Sequence, residues 1–383
     1  MEDFILFGQP KIGEDEINEV IDSLRKGWLG TGPKSKRFEQ DFAKYKNSKF
    51  SLALNSCTAG LHLSCLSLEL KPGDEVITTA MTFCATVNTI IHAGGRPVLV
   101  DIDPLTWNID HNKLEKKITS KTKAIIPVHF AGRACDMDVI MSISEKYNLK
   151  VIEDCAHAIE TIYKGKKAGA IGDMGVFSFY ATKNLAVGEG GMIISDNESL
   201  ISRLKISALH GMSKDAWSRF SDDGYKHYKV EMAGFKYNMP DIQASIGIHQ
   251  LKKIDKFALK RERIWNLYMQ EFKNLPISLP CKIESNTTHA FHLFNICLDQ
   301  NKTHIKRDVF LNKMNYNKIG VGVHYESIPS HPYYKRKFNW DCKDYPNAFK
   351  FGNETVSIPI SPKLTDNELD KIISVTKSIL SGK

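Results

Sequence analysis

The sequence predicts an α/β protein, with a large unit built on a mostly parallel seven-stranded sheet and a smaller C-terminal α/β unit. Three observations carry that expectation. Short apolar runs at 50–54, 76–79, 97–101, 124–128, 151–154, 175–179 and 192–195 read as strands. Helical patterns such as 61–70, 86–92 and 137–147 lie between them, the alternation that produces a parallel sheet covered by helices on both faces. Beyond residue 251 the pattern changes to a charged amphipathic helix over 252–272, followed by mixed strand and helix signals. A chain of 383 residues is long for one compact core. The expected division is therefore 13–250 and 251–383, with residues 1–12 packing on the second unit.

Taken in order, the chain opens with a helix over 13–25, whose Ile17, Val20, Ile21 and Leu24 form an apolar stripe. K-G-W-L-G-T-G-P follows at 26–33, too rich in glycine for a helix, and a second helix passes through Phe38 and Phe42. After the strands and helices of the sheet, residues 209–228 are polar, aromatic and glycine-containing, which predicts a long loop; such loops in compact domains are usually functional. Near the C-terminus G-V-G-V-H-Y at 320–325 reads as a strand, and 314–317 and 340–347 read as loops.

Composition excludes several classes. Hydrophobic content of 42% and charge of 25% are ordinary for a soluble globular protein. The net charge of +8 is spread rather than clustered, so nothing calls for nucleic acid, although an anionic substrate would suit the field. Eight cysteines show neither a C-x-x-C pair nor a Cys/His ligand spacing, so we expect reduced thiols in a cytoplasmic protein, and no metal. The short acidic start is neither a signal peptide nor a membrane span.

The candidate chemistry centres on V-F-S-F-Y-A-T-K-N-L-A-V-G-E-G-G at 176–191. Lys183 lies between an apolar strand and a glycine-rich turn, with Ser178 and Thr182 close by. A desolvated lysine loses its proton readily and becomes a nucleophilic amine, the property needed for a Schiff base with an aldehyde cofactor, pyridoxal phosphate. In K-V-I-E-D-C-A-H at 150–157, Asp154 ends a strand at the edge where ligands bind in parallel sheets. A carboxylate there can keep a pyridinium nitrogen protonated, which makes the ring an electron sink. Capping of the next helix is the competing role for Asp154. The strand at 50–54 runs into N-S-C-T-A-G, so Ser56, Cys57 and Thr58 stand where a helix start offers free amides and hydroxyls to a phosphate, with Ser178 closing from the lysine side. Plain capping by Ser56 or Thr58 is the alternative. A nicotinamide enzyme would need G-x-G-x-x-G after that first strand, and N-S-C-T-A-G is not that motif.

These motifs, together with W-L-G-T-G-P, G-F-K-Y-N-M-P-D-I-Q-A and V-H-Y, follow one another in the order found in the DegT/DnrJ/EryC1/StrS sugar aminotransferases, which the chain resembles over nearly its whole length. The resemblance implies the aspartate-aminotransferase-like fold type I and a homodimer with shared active sites. It further implies transfer of an amino group from glutamate to a nucleotide-linked keto sugar, at C4 first and C3 second. It carries Trp28, Leu29, Gly30, Thr31, His324 and Tyr325 over as substrate contacts, Phe83 as the ring that stacks on the cofactor, and His157 as a neighbour of the ring oxygen. Core packing is the competing role for Phe83 and for His157. The 209–228 loop resembles that of 4-keto-sugar enzymes. Lys236 and Asn238 depart from the commoner G-Y-N-Y-R-M form; one of them would reach the phosphate of the partner subunit. A dehydratase branch of the family lacks the lysine, so Lys183 argues against that activity.

Overall fold

The computed structural model describes residues 4–213, 228–299, 301–303 and 305–381. Most of the expected loop at 209–228 therefore lies outside the described residues. Helices α1 (Glu14–Lys26) and α2 (Pro33–Lys46) precede β1 (Phe50–Leu54), α3 (Cys57–Leu66), β2 (Glu75–Thr79), α4 (Cys84–His92) and β3 (Arg96–Val100). Then come β4 (Thr122–Ile126), α5 (Met137–Tyr147), β5 (Lys150–Asp154), β6 (Met174–Ser178), β7 (Gly191–Ser195) and α6 (Glu198–Ala208). The seven strands form one sheet in the order β1-β7-β6-β5-β4-β2-β3, parallel except that β7 runs against both its neighbours. All seven expected strands are present, each within a residue or two of its expected bounds.

Successive side chains on a strand face opposite ways, and the packing follows this period of two. Leu52, Leu54, Ile126, Ile152 and Val176 join a cluster with Leu61 and Leu204 of α3 and α6. Ala53, Phe177 and Met192 pack instead on Phe38 and Phe42 of α2, and Ile125 and Val151 on Ile140 of α5. The sheet is thus buried on both faces, which leaves the ends of its strands as the place where polar side chains can gather.

Helix α7 (Asp241–Phe272) is unbroken through 250/251, where the unit boundary was expected. Its first half packs Ala244, Ile248 and Leu251 against α2, and its second half packs Ile264, Trp265, Tyr268 and Phe272 into a separate cluster. That cluster also holds Ile5, the two-stranded sheet of β8 (Phe294–Cys297) and β9 (Thr355–Ile358), α8 (Arg307–Tyr316) and α9 (Asp366–Ser381). Gly247 permits the close crossing of α2, since a Cβ there would lie 2.6 Å from Phe38 Cζ.

Three local expectations change. Residues 320–325 are not a strand; an isolated bridge joins Ile5 to Ile319 just before the segment and another joins Gly322 to Ser357 within it, and the chain then turns inward so that His324 and Tyr325 line a cavity. Residues 314–316 are the last turn of α8, held there by fully buried Met314, rather than a loop. Within 340–347 a 3-10 turn covers Cys342–Asp344 and a helix begins at Pro346. No described helix is long and apolar enough to cross a membrane.

Candidate active site

A cavity of about 350 Å³ opens where β5, β6 and the first turns of α3 and α4 converge. Its lining brings together Ser56, Cys57, Thr58, Phe83, Asp154, His157, Ser178, Lys183, His324 and Tyr325, ten of the residues that the sequence nominates. They come from separate stretches of chain: those up to Lys183 end or follow strands that stop at the same sheet edge, while His324 and Tyr325 come from the irregular segment after α8.

The turn into α3 shows how local sequence builds the floor. Ser56 caps the helix, its hydroxyl accepting from Ala59 N–H at 3.0 Å, while its carbonyl accepts from Gly60 N–H at 3.2 Å. Of the four amides that a helix start leaves without an intrahelical partner, those of Cys57 and Thr58 remain for a ligand. Gly191 lies so close beneath this turn that a Cβ on it would sit 2.4 Å from the Ser56 carbonyl carbon.

Asp154 is buried, 3% exposed, and its two oxygens are held apart by different donors. Ala156 N–H donates to Oδ1 at 3.1 Å, and the Thr86 hydroxyl to Oδ2 at 2.9 Å, with Thr82 and Thr86 hydroxyls 2.8 Å apart behind it. Burial raises the Asp154 pKa against the pull of Ala156, Thr86 and Lys183. A cation beside it would relieve that cost. Lys183, whose N–H bonds the Tyr180 carbonyl at 2.9 Å, has its amine pKa lowered to about 8 by burial, with Cys57 and Asp154 opposing. Such an amine is deprotonated near neutrality far more often than a surface lysine.

The far wall is aromatic. Tyr325 Oη lies 3.0 Å from His157 Nε2 and its ring 5.7 Å from that of Phe83. Phe83 is 55% exposed although it caps α4, so it is not core. His324 Nδ1 meets Ser357 Oγ at 2.8 Å, and its ring stacks on Phe7. Burial and the nearby Lys183 lower the His324 pKa to about 3, so it is neutral across the physiological range.

The remaining nominated residues lie elsewhere. Trp28 and Leu29 project, about half exposed, from a segment pinned to the start of α7. Thr31 Oγ1 donates to the Met239 carbonyl at 2.7 Å, Asn238 Nδ2 donates to Thr31 Oγ1 at 2.6 Å, and the Gly30 carbonyl accepts from Asp241 N–H at 2.9 Å. Lys236 is exposed, its carbonyl accepting from Asn55 Nδ2 at 3.3 Å. Asn238 Oδ1 is buried without a partner among the described residues. None of these six lines the cavity of its own chain.

Sequence reasoning passed over Thr82, Thr86 and Glu189, which also line it. Thr86 was within reach, since it stands one helical turn beyond Phe83. His129, Glu153 and Cys155 come within 4.8 Å of one another nearby. The Glu153 carboxylate there is engaged by His129 at 2.9 Å and by the amides of Gly169, Ile171 and Gly172, so the cluster is a satisfied hydrogen-bond network.

A buried carboxylate, a lysine of lowered pKa and a helix start with free amides, facing one cavity, form the donor set that pyridoxal phosphate requires at its ring nitrogen, aldehyde and phosphate. The comparisons agree with this geometry. Residues 10–377 match the model of the DegT/DnrJ/EryC1/StrS aminotransferase family. This chain belongs to that family. It is 48% identical over 380 residues to MJ1066 of Methanocaldococcus jannaschii, covering 99% of this chain and 98% of that protein. It is 44% identical over 381 residues to the spore coat polysaccharide biosynthesis protein SpsC of Bacillus subtilis, with the same coverage. Spr1654 of Streptococcus pneumoniae, assigned as a sugar aminotransferase and solved in its PLP form, superposes with a TM-score of 0.91 at 33% identity over 99% of each chain. As a member of the DegT/DnrJ/EryC1/StrS family, the protein is a pyridoxal-phosphate-dependent sugar aminotransferase of fold type I.

Proposed function

We propose that this aminotransferase moves an amino group from L-glutamate to the C4 keto group of a nucleotide-linked keto-deoxy sugar, for a surface glycan or other glycoconjugate. The observation that carries the reading is the meeting of Lys183, Asp154 and the Ser56–Thr58 turn in one cavity. The role of SpsC in spore coat polysaccharide biosynthesis supports a glycan destination. Bound pyridoxal phosphate supplies an aldehyde that condenses with amines and a ring that accepts an electron pair. The protein's own groups do the rest. Lys183 Nζ, whose pKa is lowered to about 8, would bond the aldehyde and, as a free amine, would carry a proton to and from the reacting carbon. Asp154, oriented by Thr86 and Ala156, would face the ring nitrogen and favour its protonated form. The Cys57 and Thr58 amides with the Ser56 and Ser178 hydroxyls would hold the phosphate, Phe83 would pack on the ring, His157 would bond its oxygen, and His324 and Tyr325 would meet the sugar.

The cavity accounts for too little positive charge. Among its described lining residues there is no arginine and Lys183 is the one lysine, whereas a phosphate and a dicarboxylate donor are both bound more strongly by cations than by neutral donors. We therefore infer a homodimer in which Lys236 or Asn238 reaches the phosphate of the partner and Trp28, Leu29, Gly30 and Thr31 face its sugar. The eight free thiols fit a cytoplasmic protein.

The test is incubation of the yellow enzyme with glutamate and a panel of nucleotide-linked 4-keto and 3-keto sugars, read by mass spectrometry. Amination at C4 supports the assignment, and amination at C3 alone corrects its position. A colourless protein that binds a nicotinamide nucleotide would refute it.

A further inference from the structure

Directly behind Lys183 the side chain of Asn184 turns away from the cavity and is buried, 6% exposed. Its Nδ2 donates to both oxygens of Glu160, at 2.9 and 3.0 Å, and to the Ala290 carbonyl at 2.8 Å. Three acceptors around one nitrogen settle which way the amide faces, because the flipped form would set its oxygen against a carboxylate and a carbonyl. Asn184 Oδ1 is then an acceptor, so His292 must present N–H at Nδ1, 2.9 Å away. The His292 ring lies 4.4 Å from that of His157. His157 accepts Ala131 N–H at Nδ1, at 3.2 Å, so its own hydrogen is on Nε2 and points to Tyr325 Oη. With its oxygen accepting, the tyrosine keeps its hydrogen to donate into the cavity.

This arrangement is costly for a merely structural one. Glu160 is 7% exposed, and burial lifts its carboxyl to about 7 despite Arg261 of α7 and Asn184. Arg261 Nε is itself buried and unpartnered among the described residues. Apolar side chains usually serve stability as well as buried charges do, so the buried Glu160 carboxyl invites another role.

We propose that Glu160, Asn184 and His292 are positioning residues: Glu160 clamps the Asn184 amide, which holds the turn carrying Lys183, and through His292 steadies the His157 ring that turns the Tyr325 hydroxyl hydrogen toward substrate. The proposal rests on Lys183 being the lysine that captures the cofactor. Its test begins with the cofactor-free chain, to which pyridoxal phosphate is added and the product trapped with borohydride. Modified Lys183 is counted by mass spectrometry, and binding of pyridoxamine phosphate, which cannot be captured covalently, is measured separately. In Asn184→Ala and Glu160→Gln the capture rate should fall by about tenfold, the worth of one net hydrogen bond, while pyridoxamine phosphate affinity stays within about threefold. Should these variants not fold, His292→Gln, which can still donate to Asn184, should retain capture, and His292→Leu should lose it. A capture rate equal to wild type in a folded Asn184→Ala or His292→Leu variant overturns the proposal. Failure of the wild-type chain to be modified at Lys183 would instead overturn the reading of Lys183 itself.

Discussion

The cavity at the strand ends and the ledge made by 28–31 and 236–238 obey opposite rules. In the cavity Asp154, Thr86 and His157 are buried and answered by partners, as Asp154 is by Thr86 and Ala156. On the ledge the backbone is pinned by Thr31, Asn238 and Asp241 while Trp28 and Leu29 stand half exposed. A surface so firmly held can present Trp28 and Leu29 in a fixed direction. The contrast teaches that the cavity brings ten nominated residues together within one chain, while the six on the ledge lie outside that chain's cavity.

The sharpest way to break that comparison is at the lysine. Lys183→Ala should lower turnover by roughly 10⁴-fold or more, the joint loss of nucleophile and proton carrier, while the chain stays folded and binds pyridoxamine phosphate. Substantial remaining turnover of a keto sugar would show that the cavity is not where the reaction occurs. Asp154→Asn removes the charge but keeps the shape, and the expected fall is roughly 10- to 150-fold, that of a hydrogen bond to a charged group; an unchanged rate counts against its partnership with the ring.

The ledge makes the next prediction. Lys236→Ala should weaken pyridoxal phosphate binding by about tenfold if a partner's phosphate is its target, and mixing that chain with Lys183→Ala should restore part of the activity through hybrid dimers. No restoration, in a mixture shown to exchange subunits, would return the ledge to a role within its own chain. A pH series sharpens the cavity side. Folding lowers the Lys183 pKa to about 8, so its neutral, reactive form grows as pH rises through 8, well before an ordinary lysine would respond. Covalent capture by the cofactor-free chain that rises only above pH 10 would mean the amine is solvated. The smallest effect belongs to α1: Leu24, 53% exposed, should tolerate Leu24→Ser within about 0.5 kcal/mol in monomer stability, and a change in dimer dissociation on top of that would place α1 at the interface.

How much of this was legible follows from the range of each signal. Strand residues such as Leu52, Ala53 and Leu54 announce themselves by local hydrophobic runs, and Ser56 by its place between strand and helix. The two faces of α1 were less readable. Its apolar stripe leaves Ile17 and Leu24 largely exposed, while Glu16 and Ser23 are buried against α7 through Lys253, Gln250 and Ser245. Only partners more than two hundred residues away explain that inversion. Asn184 was likewise silent, because an asparagine after a lysine carries no local mark of what it bonds.

By itself the amino-acid order determined the seven strands and the helices between them, and it nominated the lysine, the carboxylate and the helix start, because each depends on neighbours a few residues apart. Tertiary structure alone decided that His324 and Tyr325 turn into the cavity instead of continuing a strand, that Asn184 answers Glu160, and that 28–31 and 236–238 stand outside their own chain's cavity. Those outcomes depend on which distant surfaces meet, and a hydrogen bond or a burial is specified by both of its sides.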